Sequence, residues 1–280
     1  MNKIKVVTDS TADLSQELIK EYDIEVVPLS IQIENETYLD RVNITPQEFL
    51  QKMAESKELP KSSQPAVGVF AELYDRLADE GYDVISIHIT GGMSGTVQSA
   101  ESAAKMSKGN VTVVDSRFIS SALSFQVMEA ATMAKEGKSV DEILSRLDEV
   151  REQTRLFVVV DTLENLVKGG RIGKGKAMIG SLLNIKPIAS LEGGVYTPVS
   201  KARSYSQVAK YLAKEFATDT NGKTIKGVGL VHADAPEMVS KLKANIKELT
   251  GYDKIQEIYT GPVITTHTGP GAIGFMYFFE

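Results

Sequence analysis

The end of the chain sets the strictest condition on the fold. From Ile273 to Phe279, the side chains Ile273, Phe275, Tyr277 and Phe279 alternate with Gly274, Met276 and Phe278, so both faces of an extended segment are apolar. A strand on a solvated face would show polar residues at every second place. This one needs cover on both sides, which predicts an inner strand. The approach to it, from Gly261 and Pro262 through Thr266, His267 and Thr268 to Gly269, Pro270 and Gly271, reads as a loop held in set turns by its glycines and prolines. Hydroxyls and an imidazole beside an apolar wall are the composition expected where a small anionic head meets a hydrophobic surface. A buried strand entered through a tight turn is the plainer reading of the same residues.

Upstream, strand-like and helix-like segments alternate. Val84 to Ile89 and Val111 to Val114 read as strands, and Val97 to Met106 reads as a helix between them. Thr45-Pro46-Gln47-Glu48 and Ser139-Val140-Asp141-Glu142 have capping-box spacing, and Ile143, Leu144, Leu147 and Val150 share one helical face. Strand, loop, helix, strand in this order predicts right-handed crossovers and a largely parallel sheet. After about Thr154 the pattern changes to strands with a turn at Glu192 to Val195, which read as antiparallel neighbours, and a helix striped by Tyr205, Val208, Leu212 and Phe216. The expected architecture is α/β, with a parallel-sheet domain at 1–153 and a second domain with a mixed or antiparallel sheet at 154–280.

The chain has 280 residues and a formal net charge of -6, which argues against nucleic acid as the main partner. It has no cysteine, which excludes disulfides and thiolate metal sites and fits a reducing compartment. His88, His232 and His267 are scattered without ligand spacing, so no metal site is expected, and His88 reads as part of its strand's packing. The first ten residues turn polar too early for a signal sequence, and no apolar run is long enough to span a bilayer. A cytoplasmic protein without membrane insertion is the expectation.

Three segments have the residues to carry chemistry. Thr90-Gly91-Gly92-Met93-Ser94-Gly95-Thr96 joins a strand to a helix, where free amide hydrogens favour an anion and Ser94 adds a hydroxyl; it lacks the lysine of a P-loop and the last glycine of a nucleophile elbow. Pro60 to Pro65 presents Ser62 and Ser63 between two prolines, and alone reads equally well as a turn and helix cap. Lys168-Gly169-Gly170-Arg171 follows a helical segment that glycine would end in a left-handed turn. It opens a basic stretch, Lys168, Arg171, Lys174, Lys176, Lys186, Lys201 and Arg203, against Glu192 alone; this stretch is either a solvated surface or a meeting place for phosphate or an acidic partner.

Thr8-Asp9-Ser10, Ser62-Ser63-Gln64-Pro65, Met93-Ser94-Gly95-Thr96, Val114-Asp115-Ser116-Arg117, Lys168-Gly169-Gly170-Arg171-Ile172, Lys186-Pro187, Lys201-Ala202-Arg203 and His267-Thr268-Gly269-Pro270-Gly271 follow one another in this order. As an ordered set they resemble the DegV family, and within it the fatty-acid-binding subunits of the bacterial fatty acid kinase system. The resemblance implies one long-chain fatty acid held between two domains and presented to a separate kinase subunit that phosphorylates its carboxylate, with no cofactor and no catalytic residue in this chain. By position it implies that Ser62, Ser94, Thr266, His267 and Arg171 surround the carboxylate and that Arg203 and Lys174 serve kinase docking. Met93, Leu123, Phe125, Ile273 and Phe275 are the expected acyl-chain wall. The family more usually has threonine at the place of Ser62 and more glycine in the stretch Ser121 to Phe125. Two other classes stay open: a serine-dependent acyl hydrolase with Ser94 as nucleophile and His267 as base, for which no orienting acid is identified, and a scaffold without ligand.

Overall fold

The computed structural model describes residues 3–178 and 185–280. The chain runs β1 (Lys3–Asp9), α1 (Gln16–Tyr22), β2 (Glu25–Val27), β3 (Ser30–Ile33), β4 (Glu36–Leu39), α2 (Pro46–Glu55), β5 (Lys61–Ser63), α3 (Val67–Asp79), β6 (Tyr82–His88), α4 (Thr96–Met106), β7 (Val111–Asp115), α5 (Ser120–Lys135) and α6 (Val140–Gln153). It continues with β8 (Thr154–Val159), α7 (Glu164–Lys168), β9 (Lys186–Ser190), β10 (Thr197–Ala202), α8 (Tyr205–Thr220), β11 (Ile225–His232), α9 (Pro236–Thr250), β12 (Gln256–Tyr259), α10 (Pro262–Thr268) and β13 (Ile273–Phe279). Both capping boxes form, at Thr45 and Ser139, where each hydroxyl accepts from the backbone N–H three residues on and the glutamate answers the cap's own N–H.

The first half builds a parallel sheet in the order β2-β1-β6-β7, and the second a mixed sheet in the order β10-β9-β8-β13-β11-β12. The passage between them falls where α6 ends at Gln153 and β8 begins at Thr154. A third sheet, β4-β3-β5, is antiparallel, and it carries Ser62 opposite Ile31. Nothing in the sequence patterning predicts it, because its strands are three or four residues long.

β13 is the inner strand that its two apolar faces demand. It runs antiparallel to both β8 and β11, with Phe275 between Phe157 and Leu230, and all seven residues are buried. Ile273, Phe275, Tyr277 and Phe279 pack on one side against Val208, Leu212 and Phe216 of α8 and Met238, Leu242 and Ile246 of α9. Met276 faces the other way, into a core of Leu156, Val158, Val231, Ile119 and Ala122 that is shared by both halves. Ile273 and Phe275 therefore belong to the helix-covered face rather than to an acyl-chain wall.

α5 lies between the parallel and mixed sheets. Leu123, Val127, Ala130 and Ala131 fill the first core while Ala122 joins the shared one. Its close approach to β11 requires two glycines: a Cβ on Gly229 would lie 2.4 Å from the Cβ of Ser121, and one on Gly227 would lie 2.8 Å from the Phe125 ring. Phe125 is spent on this contact and on Phe278, and Leu123 on the first core, so neither lines a ligand chamber.

Asp13 ties the halves together. Its backbone takes the left-handed conformation, φ 54°, which turns a fully buried carboxylate toward four donors. Oδ1 accepts from Arg41 Nη2 (2.6 Å) and the Gly261 N–H (2.9 Å); Oδ2 accepts from Ser120 Oγ (2.5 Å) and Thr260 Oγ1 (3.0 Å). Arg41 also donates to the Tyr259 carbonyl (2.7 Å), so β12 and the start of α10 are bound to the first half through one acid. Replacing Asp13 with alanine leaves the Arg41 charge and several donors without their acceptor. The expected cost is about 3 to 5 kcal/mol, read as a fall in the urea midpoint; a midpoint within error of the natural protein's would show that Asp13 holds nothing.

Candidate functional site

A cavity of about 300 Å³ opens where the third sheet, the β6–α4 loop, the second sheet and α10 meet. Its polar residues are Ser62, Ser63, Gln64, Ser94, Arg171, His267 and Thr268, and its apolar wall includes Ile89, Met93, Val158, Leu166, Tyr196 and Ile264.

His267 does not sit on a loop: Pro262–Thr268 is a helix, with proline at its first turn and almost every residue buried. Two of its threonines are satisfied within it, Thr266 Oγ1 donating to the Pro262 carbonyl (2.9 Å) and Thr268 Oγ1 to that of Ile264 (3.1 Å). The Thr266 carbonyl also accepts from Asn165 Nδ2 (3.2 Å). Thr266 is thereby turned into the protein, and Thr268 takes the place on the cavity wall that the sequence reading gave to it.

His267 Nε2 shares a hydrogen bond of 2.7 Å with Ser62 Oγ, and Nδ1 has no partner. The imidazole packs so close to the backbone that a Cβ on Gly169 would lie 2.3 Å from Nδ1, so only glycine fits there. Burial, reinforced by the charge of Arg171, pulls the His267 pKa down to about 4, and the ring is neutral at pH 7. With its proton on Nε2 the ring donates to Ser62, whose own O–H is then free to donate into the cavity.

Arg171 is set by a helix-ending turn. Gly170, φ 74°, follows α7; its N–H donates to the Val167 carbonyl (3.1 Å) and the Arg171 N–H to that of Leu166 (2.9 Å), the paired bonds of a Schellman motif. The guanidinium donates from Nε to the Met93 carbonyl (2.9 Å) and from Nη1 to that of Gly169 (2.6 Å). Among the described residues no carboxylate pairs with it, which leaves a net positive charge at the polar end of the cavity. Ser94 lies across from it, exchanging a hydrogen bond with Thr96 Oγ1 (2.8 Å) and accepting the Thr96 N–H (3.3 Å) at the start of α4.

The profile of the DegV family matches residues 3–280. This chain belongs to the DegV family. It is 44% identical over 279 residues to a DegV domain-containing protein of Listeria monocytogenes, covering 99% of both chains. Its structure resembles that of a DegV family protein from Thermus thermophilus described as binding fatty acid, with 35% identity, 99% of each chain covered and a TM-score of 0.92. It also resembles DegV of Bacillus subtilis, described as a fatty acid binding protein, with 33% identity, 100% of each chain covered and a TM-score of 0.91.

In this DegV protein the fold brings Ser62, Ser94, Arg171, His267 and Met93 to one cavity from four separate stretches of chain, while Thr266, Leu123, Phe125, Ile273 and Phe275 stand elsewhere. Lys174 and Arg203 are exposed, as are Lys176 and Lys201. Lys168 and Lys186 of the same basic stretch are already paired, with Glu164 and Asp161 at 2.5 Å each. The sequence reading missed Tyr196, Leu166 and Ile264, which carry no signal beyond being apolar or aromatic near turns. His267 turns to Ser62 rather than to Ser94, and no acid reaches its Nδ1, so the pair expected of a hydrolase does not form.

A second serine and histidine are joined to an acid elsewhere. Asp9 Oδ2 accepts from the Ile89 N–H (2.9 Å) and bonds His88 Nδ1 (3.0 Å), His88 Nε2 bonds Ser86 Oγ (2.7 Å), and Ser86 bonds the Tyr74 hydroxyl (2.7 Å). All four side chains are fully buried; the network fixes the strand end that leads to the cavity loop. Among the described residues no group of acids and histidines is placed to hold a metal, and no helix is long and apolar enough to cross a membrane.

The neutral state of His267 is directly observable. An NMR titration of the imidazole should show no protonation until the pH approaches 4, and Arg171→Met should move the midpoint upward because a nearby positive charge has gone. A midpoint near the ordinary 6.5 would mean that the ring is solvated.

Proposed function

We propose that this protein binds one long-chain fatty acid between a domain at 1–153 and one at 154–280, and presents its carboxylate to a partner kinase that forms the acyl phosphate. The observation that carries the reading is the division of the cavity: an arginine without a counter-ion, a neutral histidine with its serine and a second serine at one end, and an apolar wall over the rest. A buried carboxylate needs a cation and several donors to replace its hydration, and a long chain needs only apolar surface. The fatty acid binding ascribed to the Thermus and Bacillus proteins supports the same ligand. Here Arg171 would oppose the carboxylate's charge, Ser62 and Ser94 would donate to it, and His267 would hold Ser62 in position.

Mass spectrometry of an organic extract of the purified protein should recover a fatty acid in near-stoichiometric amount. Ser62→Ala and Ser94→Ala should each weaken fatty-acid binding about tenfold to a hundredfold, with a smaller loss for the methyl ester, which has no charge. Equal losses for acid and ester would mean that the serines shape the cavity without reading the anion.

For the kinase, the exposed Arg203 and Lys174 are the proposed docking charges. Arg203→Ala should leave lipid content unchanged and lower phosphorylation by the partner, and the difference from the natural protein should shrink in high salt because exposed charges act mainly on encounter. A variant that purifies without lipid would rule out the docking role.

A further inference from the structure

The polar end of the cavity is bounded on two sides. On one side Ser62 meets His267, the imidazole lies against Gly169, and Arg171, which donates to the Gly169 carbonyl, also reaches the Met93 carbonyl next to Ser94. On the other side stands Gln64, which lines the cavity and is exposed at its mouth. It follows β5 directly, and its Nε2 donates to Oγ of the buried Ser99 on α4 (2.8 Å).

The amide of Gln64 crosses α4 at the helix's N-cap. A Cβ on Gly95 would lie 2.0 Å from Gln64 Oε1 and 2.6 Å from its Cδ and Nε2, so the side chain occupies the room that the glycine leaves. The backbone does not call for glycine there, since φ is -77°, and Gly95 has no side chain with which to cap the helix. Ser62 lies two residues before Gln64, and Ser94 one residue before Gly95. The two hydroxyls thus come from separate elements, and a carboxylate that accepts from both needs them held at one spacing.

We infer that Gln64 is a positioning residue: by lying across Gly95 and bonding Ser99 it fixes the spacing of Ser62 and Ser94, so that both can donate to one carboxylate. This rests on the fatty-acid reading above. The effect of Gln64 passes through the serines and not through a contact of its own with the ligand.

Titrations of the natural protein, Gln64→Ala, Gly95→Ala and the double variant with stearate and methyl stearate test it. Either single substitution should weaken stearate binding about three- to tenfold and methyl stearate binding much less. The methyl added by Gly95→Ala meets the movable end of a side chain, so that variant should fold with Gln64 displaced. In the double variant there is no amide to displace, and its affinities should match those of Gln64→Ala alone. Additive losses would mean that Gly95 acts through α4 without Gln64. Equal losses for acid and ester would assign Gln64 to the shape of the cavity, and an unchanged stearate affinity in Gln64→Ala would show that the serines keep their spacing without it. Each of these three results overturns the inference and leaves fatty-acid binding intact. Failure of the natural protein to bind stearate would overturn both readings together.

Discussion

The carboxylate of Asp13 is the contact on which the arrangement of the two halves depends. A lone buried charge is costly, and this one is tolerated because Arg41, Gly261, Ser120 and Thr260 all donate to it. Its donors come from the start of α5, from the end of β12 and from the first residue before α10, so the acid fixes where α10 begins and hence where His267 points. Asp40 lies beside it, and burial pushes its carboxyl pKa up to about 7, with the charge of Asp13 adding to the effect. Below neutral pH Asp40 is therefore held mainly in its neutral form.

At the cavity the electrostatics are arranged the opposite way. Arg171 spends its hydrogen bonds on carbonyls, which orient it without cancelling its charge. His267 is kept neutral by burial and by that same charge, so the chamber holds one cation rather than two and suits a ligand with one negative charge. Neutrality also allows the ring to serve Ser62 as a fixed hydrogen-bond partner.

Most of the architecture was legible in the sequence because its signals are periodic. The two apolar faces of Ile273 to Phe279 placed β13 inside a sheet, and the capping boxes marked α2 and α6. α10 was misread because proline, threonine and glycine are weak in isolated helices; seven residues of that composition are helical here through burial and through threonines bonding back one turn. The same doubly apolar pattern that identified β13 concealed which face meets which layer, so Ile273 and Phe275 were assigned to a cavity that they do not line. Ser62, Ser94, Arg171 and His267 were recognisable as an ordered set of motifs, whereas Tyr196 looks in sequence like any aromatic residue beside a glycine turn.

The seating of α5 on Gly227 and Gly229 couples distant parts of the molecule. Ser121 and Phe125 touch β11 with no slack, while Ile119, one residue ahead of the same helix, lines the cavity. A methyl group added to β11 on the far side of α5 would have to displace the helix, and Ile119 with it. The capacity of the chamber is thus set partly by strand positions that do not line it, and a substitution at either glycine would reshape the cavity from outside its surface.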